Sequence, residues 1–201
     1  MMASPTSHLL YLHGFRSSPQ SFKAQRLQAW LRRHRSDVHW WCPQLPASPW
    51  AALQWVQQGI ATWPAQTSAV VGSSLGGFYA TVVAEGAARK AWRGVLINPA
   101  VHPARDLAAH VGALTAFHNP AERFEFRAQY IEELRAMAPA DISHRHRYLP
   151  IIAKGDALLS WREMSARYPG QPLRLIEGSD HALSDFEQHL PALLDFLNLN
   201  R

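Results

Sequence analysis

Cysteine is almost missing from this chain: Cys42 is the single one among 201 residues. One thiol cannot close an internal disulfide, so nothing in the sequence requires an oxidising compartment. Long apolar runs are missing too, since no stretch approaches the roughly 20 residues of a membrane-spanning helix. The start, Met1-Met2-Ala3-Ser4-Pro5-Thr6-Ser7-His8, has neither a basic segment nor an apolar one and does not read as a signal peptide. A cytoplasmic location without membrane insertion is the expectation. There is no H-E-x-x-H, and His144-Arg145-His146 lacks carboxylates or cysteines nearby at ligand spacing, so no metal is expected. No lysine follows Gly76-Gly77 as a P-loop requires, and no repeat or low-complexity tract is present. No cofactor is expected.

Charge is modest, at 17% of residues, against a hydrophobic fraction of 47%. That balance describes a folded chain, and its length suits one domain, residues 1–201, with a sizeable core. A net charge of +5 raises the question of nucleic acid. Its basic clusters are Arg32-Arg33-His34-Arg35, where a helix should end, and His144-Arg145-His146-Arg147, in a loop. Cations at a helix end favour the helix dipole, and no nucleic-acid-binding motif accompanies either cluster. No nucleic-acid partner is expected. The eight tryptophans leave a monomer and a homodimer both open.

Strand-like and helix-like segments alternate along the chain. Strands are expected at His8–Leu12, Val38–Cys42, Ser68–Val71, Gly94–Ile97, Tyr148–Ala153 and Leu173–Ile176. Ser18-Pro19 offers an N-cap and a first-turn proline to a helix running to about His34. Further helices are expected over about 49–62, after Gly77, and over about 182–197, the last with Pro191 inside it. Such alternation implies an α/β fold: a mostly parallel sheet of about six strands with helices on both faces. From about His102 to Arg147 the sequence is helix-like with no clear strand. An insertion there would sit over the carboxyl ends of the strands as a helical lid, or pack on the side as an ordinary excursion.

Gly72-Ser73-Ser74-Leu75-Gly76-Gly77 joins a strand to a helix. G-x-S-x-G in that setting is a nucleophile elbow, in which a tight turn lifts the serine above the sheet. Glycines at 72 and 76 remove the Cβ atoms that would collide. Ser74 is the expected nucleophile. It needs a base and an orienting acid, which in this fold follow in the order Ser, acid, His.

His181, just past the sixth strand, is the base candidate; His189 falls inside the last helix. Asp156, directly off the fifth strand, is the acid candidate, with Glu177 as runner-up. Asp180 adjoins His181, and neighbouring side chains diverge. The loop after the fourth strand offers Asn98, not a carboxylate. Backbone N–H groups of Leu75 and Phe15 are the oxyanion-hole candidates. His13 is expected to hold that loop by hydrogen bonds, and Arg16 either to be solvated or to meet an acidic substrate group.

With these residues in place the chain resembles the YqiA-type small bacterial esterases of the α/β-hydrolase superfamily. The matching segments are Tyr11-Leu12-His13-Gly14-Phe15, Ser17-Ser18-Pro19, Lys23-Ala24, Pro43-Gln44-Leu45-Pro46, Gly72 to Gly77 with Tyr79-Ala80, Asn98-Pro99-Ala100-Val101, Gly155-Asp156, His181-Ala182 and Phe186-Glu187. The match is weakest from about Ala104 to His146. The resemblance implies a serine esterase of short-chain esters, and of acyl thioesters, without cofactor, with Ser74, Asp156 and His181 as its triad. The family commonly has a second acid in the loop where this chain carries Ala157 and Ser160. Two alternatives remain at this point. One is an acyl-CoA thioesterase, supported by apolar residues in the insertion and a basic surface. The other is a binding protein that has kept the fold and lost turnover.

Overall fold

The structure, a computed structural model, describes residues 4–86, 91–169 and 172–200; Met1 to Ala3 of the N-terminal stretch discussed above lie outside it. Six strands form one parallel sheet in the order β2-β1-β3-β4-β7-β8. They are β1 (His8–Leu12), β2 (His39–Trp41), β3 (Ser68–Ser73), β4 (Arg93–Ile97), β7 (Tyr148–Ala153) and β8 (Arg174–Ile176). All six expected strands are present.

The pleat sorts their side chains into two cores. Leu10 and Leu12 of β1, Val70 of β3 and Leu96 of β4 point to one face. Leu9, Tyr11, Ala69, Val71, Val95 and Ile97 point to the other. Alternation with both faces buried is what a parallel sheet requires. The first face is covered by α2 (Pro49–Gly59) and α3 (Leu75–Glu85). The second is covered by α1 (Phe22–His34) and α7 (Phe186–Phe196). Trp40 and Trp41, adjacent on β2, separate to opposite cores in the same way.

Helix α1 buries Ala24, Leu27 and Leu31, one stripe at helical spacing. It begins at Phe22 rather than beside Pro19. The Ser18 hydroxyl does not cap it but accepts from the Gln20 N–H at 3.1 Å, closing a turn first. The last helix likewise starts at Phe186, not near Ala182. Asp180 caps a separate turn through the Ser184 N–H at 3.0 Å, so His181 sits in that turn and not in a helix. Pro191 lies within α7 without dividing it.

Between β4 and β7 the chain makes α4 (Pro103–Asp106), β5 (Gly112–Thr115), β6 (Arg123–Phe126) and α5 (Ala128–Met137). Strands β5 and β6 pair antiparallel, Gly112 with Phe126 and Thr115 with Arg123. The expectation of a strand-free segment is therefore corrected. Arg123-Phe124-Glu125-Phe126 alternates with a period of two, burying Phe126 and half-burying Phe124. Helix α6 (Trp161–Arg167) joins β7 to β8. Among the described residues no helix is long and apolar enough to cross a membrane.

Candidate active site

The chain leaves β3 and turns into α3 through Ser74, whose backbone has φ 56° and ψ −121°. A non-glycine residue there carries local strain that its surroundings must hold. The Ser74 N–H donates to the Ile97 carbonyl at 2.9 Å, fixing the turn to the end of β4. The glycines leave no alternative. A Cβ at Gly76 would lie 1.9 Å from the Leu12 carbonyl oxygen, and one at Gly72 would lie 2.2 Å from the Gly76 oxygen. Both obstacles are backbone and cannot rotate away.

Three side chains expected from separate strand ends converge here. The Ser74 Oγ lies 3.0 Å from His181 Nε2. His181 Nδ1 lies 2.7 Å from Asp156 Oδ2. The pattern suits the tautomer in which Nδ1–H donates to the carboxylate and Nε2 accepts from the serine hydroxyl. The Asp156 side chain is wholly shielded, while that of His181 keeps 24% of its surface open to the cavity. The other Asp156 oxygen accepts from the Leu158 and Leu159 N–H groups at 2.8 and 2.9 Å. The turn after β7 thus holds the carboxylate rigid without a second acid.

The remaining candidates lie elsewhere. Glu177 pairs with Lys154, largely in solvent. Asp180 is occupied by the N–H and hydroxyl of Ser184, which hold its carboxyl below the ordinary range. His189, in α7, faces the N-cap residue Asp185 at 3.0 Å.

The loop after β1 comes up beside the serine: a Cβ on Gly14 would touch the Ser74 Cβ at 3.3 Å. Phe15 follows directly, and Leu75 opens α3. Neither N–H serves another hydrogen bond among the described residues. His13 holds this loop in place. Its Nδ1–H donates to the Gly14 carbonyl at 2.9 Å, and its Nε2 accepts from the Leu45 N–H at 3.1 Å. Burial pushes the His13 imidazole down to about 4, so it stays neutral in this role.

Two contacts were not legible in sequence. Arg16 is half-buried and borders both cavities, and it is tied to the insertion. Its Nε donates to the Thr115 carbonyl at 2.7 Å, and its guanidinium stacks on Phe117 at 4.0 Å from the ring centre. The hairpin is thereby tied to the loop beside the serine, and Phe126 packs edge-on against Phe15 with ring centres 4.9 Å apart.

The second is Asn98, fully buried with φ 41°. Its amide nitrogen donates to the Asp180 and His181 carbonyls at 3.0 and 3.1 Å, while its oxygen accepts from the Ala153 N–H at 2.8 Å. One side chain therefore fastens the histidine turn to the end of β7, three residues before Asp156.

Two cavities meet at the Gly14–Ser17 loop. One, of about 530 Å3, is bordered by Ser74, His181, Lys23, Leu107, Phe117 and Leu158. The other, of about 350 Å3, is bordered by Leu45, Leu75, Tyr79 and Phe124 among others.

Known proteins share this arrangement of the chain. Alpha/beta hydrolase domain-containing protein 10 from mouse superposes with a TM-score of 0.67 at 14% identity, over 98% of this chain and 92% of its own. A structure described under LipS and LipT, two metagenome-derived lipolytic enzymes, gives 0.65 at 18% identity, over 98% and 96%. Est1E from Butyrivibrio proteoclasticus gives 0.65 at 14% identity, over 97% and 86%. At such identities the likeness is one of fold, and the fold is that of the α/β-hydrolases. Residues 8–198 also match the model of an uncharacterised protein family, UPF0227. The chain therefore belongs to UPF0227, the YqiA family, and carries it on an α/β-hydrolase fold.

Proposed function

We propose that this protein is a serine hydrolase of short-chain carboxylic esters. The observation that carries the reading is the hydrogen-bonded series Ser74–His181–Asp156, at 3.0 and 2.7 Å, opening into a cavity. His181 takes the serine proton as Ser74 Oγ attacks the acyl carbonyl, and Asp156 orients the imidazole and stabilises its charged form. The Phe15 and Leu75 N–H groups receive the developing oxyanion, a contribution worth about a hundred- to a thousandfold in rate per donor. His181 then protonates the leaving alcohol, and the same base activates the water that releases the acid.

The cavity bordered by Leu45, Leu75, Tyr79 and Phe124 on one side and by Arg16, Gln44, His118 and Glu122 on the other has room for an acyl group of a few carbons. Leu107 and Phe117, from the insertion at 102–147, border the cavity at Ser74 and support a lid role for that segment.

Replacing Ser74 by Ala is expected to abolish hydrolysis of p-nitrophenyl butyrate and labelling by a fluorophosphonate, with the fold intact by circular dichroism. Activity at the wild-type rate in Ser74→Ala overturns the proposal. Comparing butyryl oxyester with butyryl-CoA decides between an esterase and a thioesterase.

A further inference from the structure

The cavity at Ser74 has a polar corner that the proposed ester hydrolysis leaves unused. It lies where α1 begins. Ser21, the N-cap residue, makes no side-chain bond to the helix, and its hydroxyl is buried without a partner. The first turn of α1 carries no acidic residue. Beside it lies the Tyr11 hydroxyl, fully buried and within reach of the Ser21 and Ser73 hydroxyls but well aligned with neither. Buried hydroxyls that have only one another to turn to are poorly satisfied, and such a group on the wall of a cavity has donor capacity left for a ligand.

A cation completes the corner. Lys23 borders the same cavity and donates one N–H to the Ala182 carbonyl, next to the triad histidine. An ammonium has three donors. Among the described residues no carboxylate forms an ion pair with it; Asp180 acts on it only from a distance and is itself held by Ser184. Burial lowers the Lys23 ammonium to about 8, so it remains charged at neutral pH. A half-buried cation with no carboxylate in contact, at the positive end of a helix and beside hydroxyls with donor capacity to spare, fits a group with anionic oxygens.

We propose that this corner binds a carboxylate on the substrate, so that the preferred esters are half-esters of short dicarboxylic acids. The proposal rests on the hydrolase reading: the anionic end docks on Lys23, Ser21 and Tyr11 while the ester carbonyl reaches Ser74.

The test compares p-nitrophenyl hemiglutarate and hemiadipate with the pentanoate and hexanoate of matched length. Wild type should favour the anionic esters by about tenfold or more in kcat/KM, equivalent to one well-placed charged contact. That ratio should fall about tenfold in Lys23→Met and about threefold in each of Ser21→Ala and Tyr11→Phe. Free adipate should raise the melting temperature of wild type but not of Lys23→Met. A wild-type ratio near one, or a ratio unmoved in all three variants as a corner built for fixed water would give, overturns the subsite. Should no ester be turned over, the hydrolase reading fails by itself. The subsite is then judged by the adipate shift alone, and its absence from wild type overturns it.

Discussion

Asn98 and His181 are 83 residues apart, and the buried amide of the first donates to the main-chain carbonyl of the second at 3.1 Å. The same side chain bonds Asp180 and Ala153. It therefore sets the distance between the histidine turn and the strand end that carries Asp156. Asn98→Asp keeps the shape but sets a carboxylate oxygen against two carbonyls. We expect kcat to fall about tenfold to a hundredfold with KM little changed, and stability to fall by about 2 kcal/mol. Steady-state kinetics and urea unfolding measure both. Unchanged kcat in a destabilised variant would reduce Asn98 to a purely structural part.

His13 gives the protein an acid-sensitive element. Unfolded, it binds a proton below about 6.5; folded, only below about 4, because burial disfavours the cation. Its contribution is fully present above pH 6.5 and is lost as pH falls from 6.5 towards 4. Between pH 7.5 and 5 the loss should be about 2 kcal/mol. Urea midpoints at the two pH values should converge less for wild type than for His13→Asn, which has no such proton to bind. Equal pH dependence in both proteins would sink this assignment.

Arg16 joins the hairpin to the loop bearing Phe15. Arg16→Gln removes the guanidinium stack on Phe117 and weakens the bond to Thr115. The expected outcome is faster hydrogen exchange across Gly112–Phe126 and a drop of about tenfold in kcat/KM, since a displaced oxyanion donor is costly. Faster exchange with full activity would separate the hairpin from catalysis.

Gly76→Ala should not give a folded protein at 37 °C. The added methyl meets the Leu12 carbonyl at 1.9 Å, and backbone on both sides must move. Overpacking of that kind exceeds the usual range, costing more than about 4 kcal/mol. Soluble yield and melting temperature, compared with Ser74→Ala, provide the check.

The sheet was legible because its strands are short apolar runs, and burial on both faces leaves no ambiguity of face for a sequence such as His8-Leu9-Leu10-Tyr11-Leu12. The elbow was legible because its constraint is local: glycines two residues either side of a serine. Asp156 and His181 could be picked out by their places after strands. The hairpin could not. Gly112-Ala113-Leu114-Thr115 has little alternation of its own, and its partner strand is only four residues long. Asn98 and Lys23 escaped for a different reason. Their partners, Ala153, His181 and Ala182, are brought near only by the finished fold, and no spacing in the chain encodes that meeting. Starting points for α1 and α7 were misread because Ser18 and Asp180 cap turns in front of the helices.

The anchoring of the hairpin on Arg16 has a consequence for how such a protein can diversify. Inserted segments on a shared scaffold are often exchangeable parts, replaced without disturbing the chemistry beneath. Here the hairpin and the Phe15 loop share one guanidinium, so exchanging the inserted segment also disturbs the loop beside Ser74. New substrate ranges should therefore arise by changes within the 112–126 hairpin that spare Thr115 and Phe117, rather than by wholesale substitution of the segment.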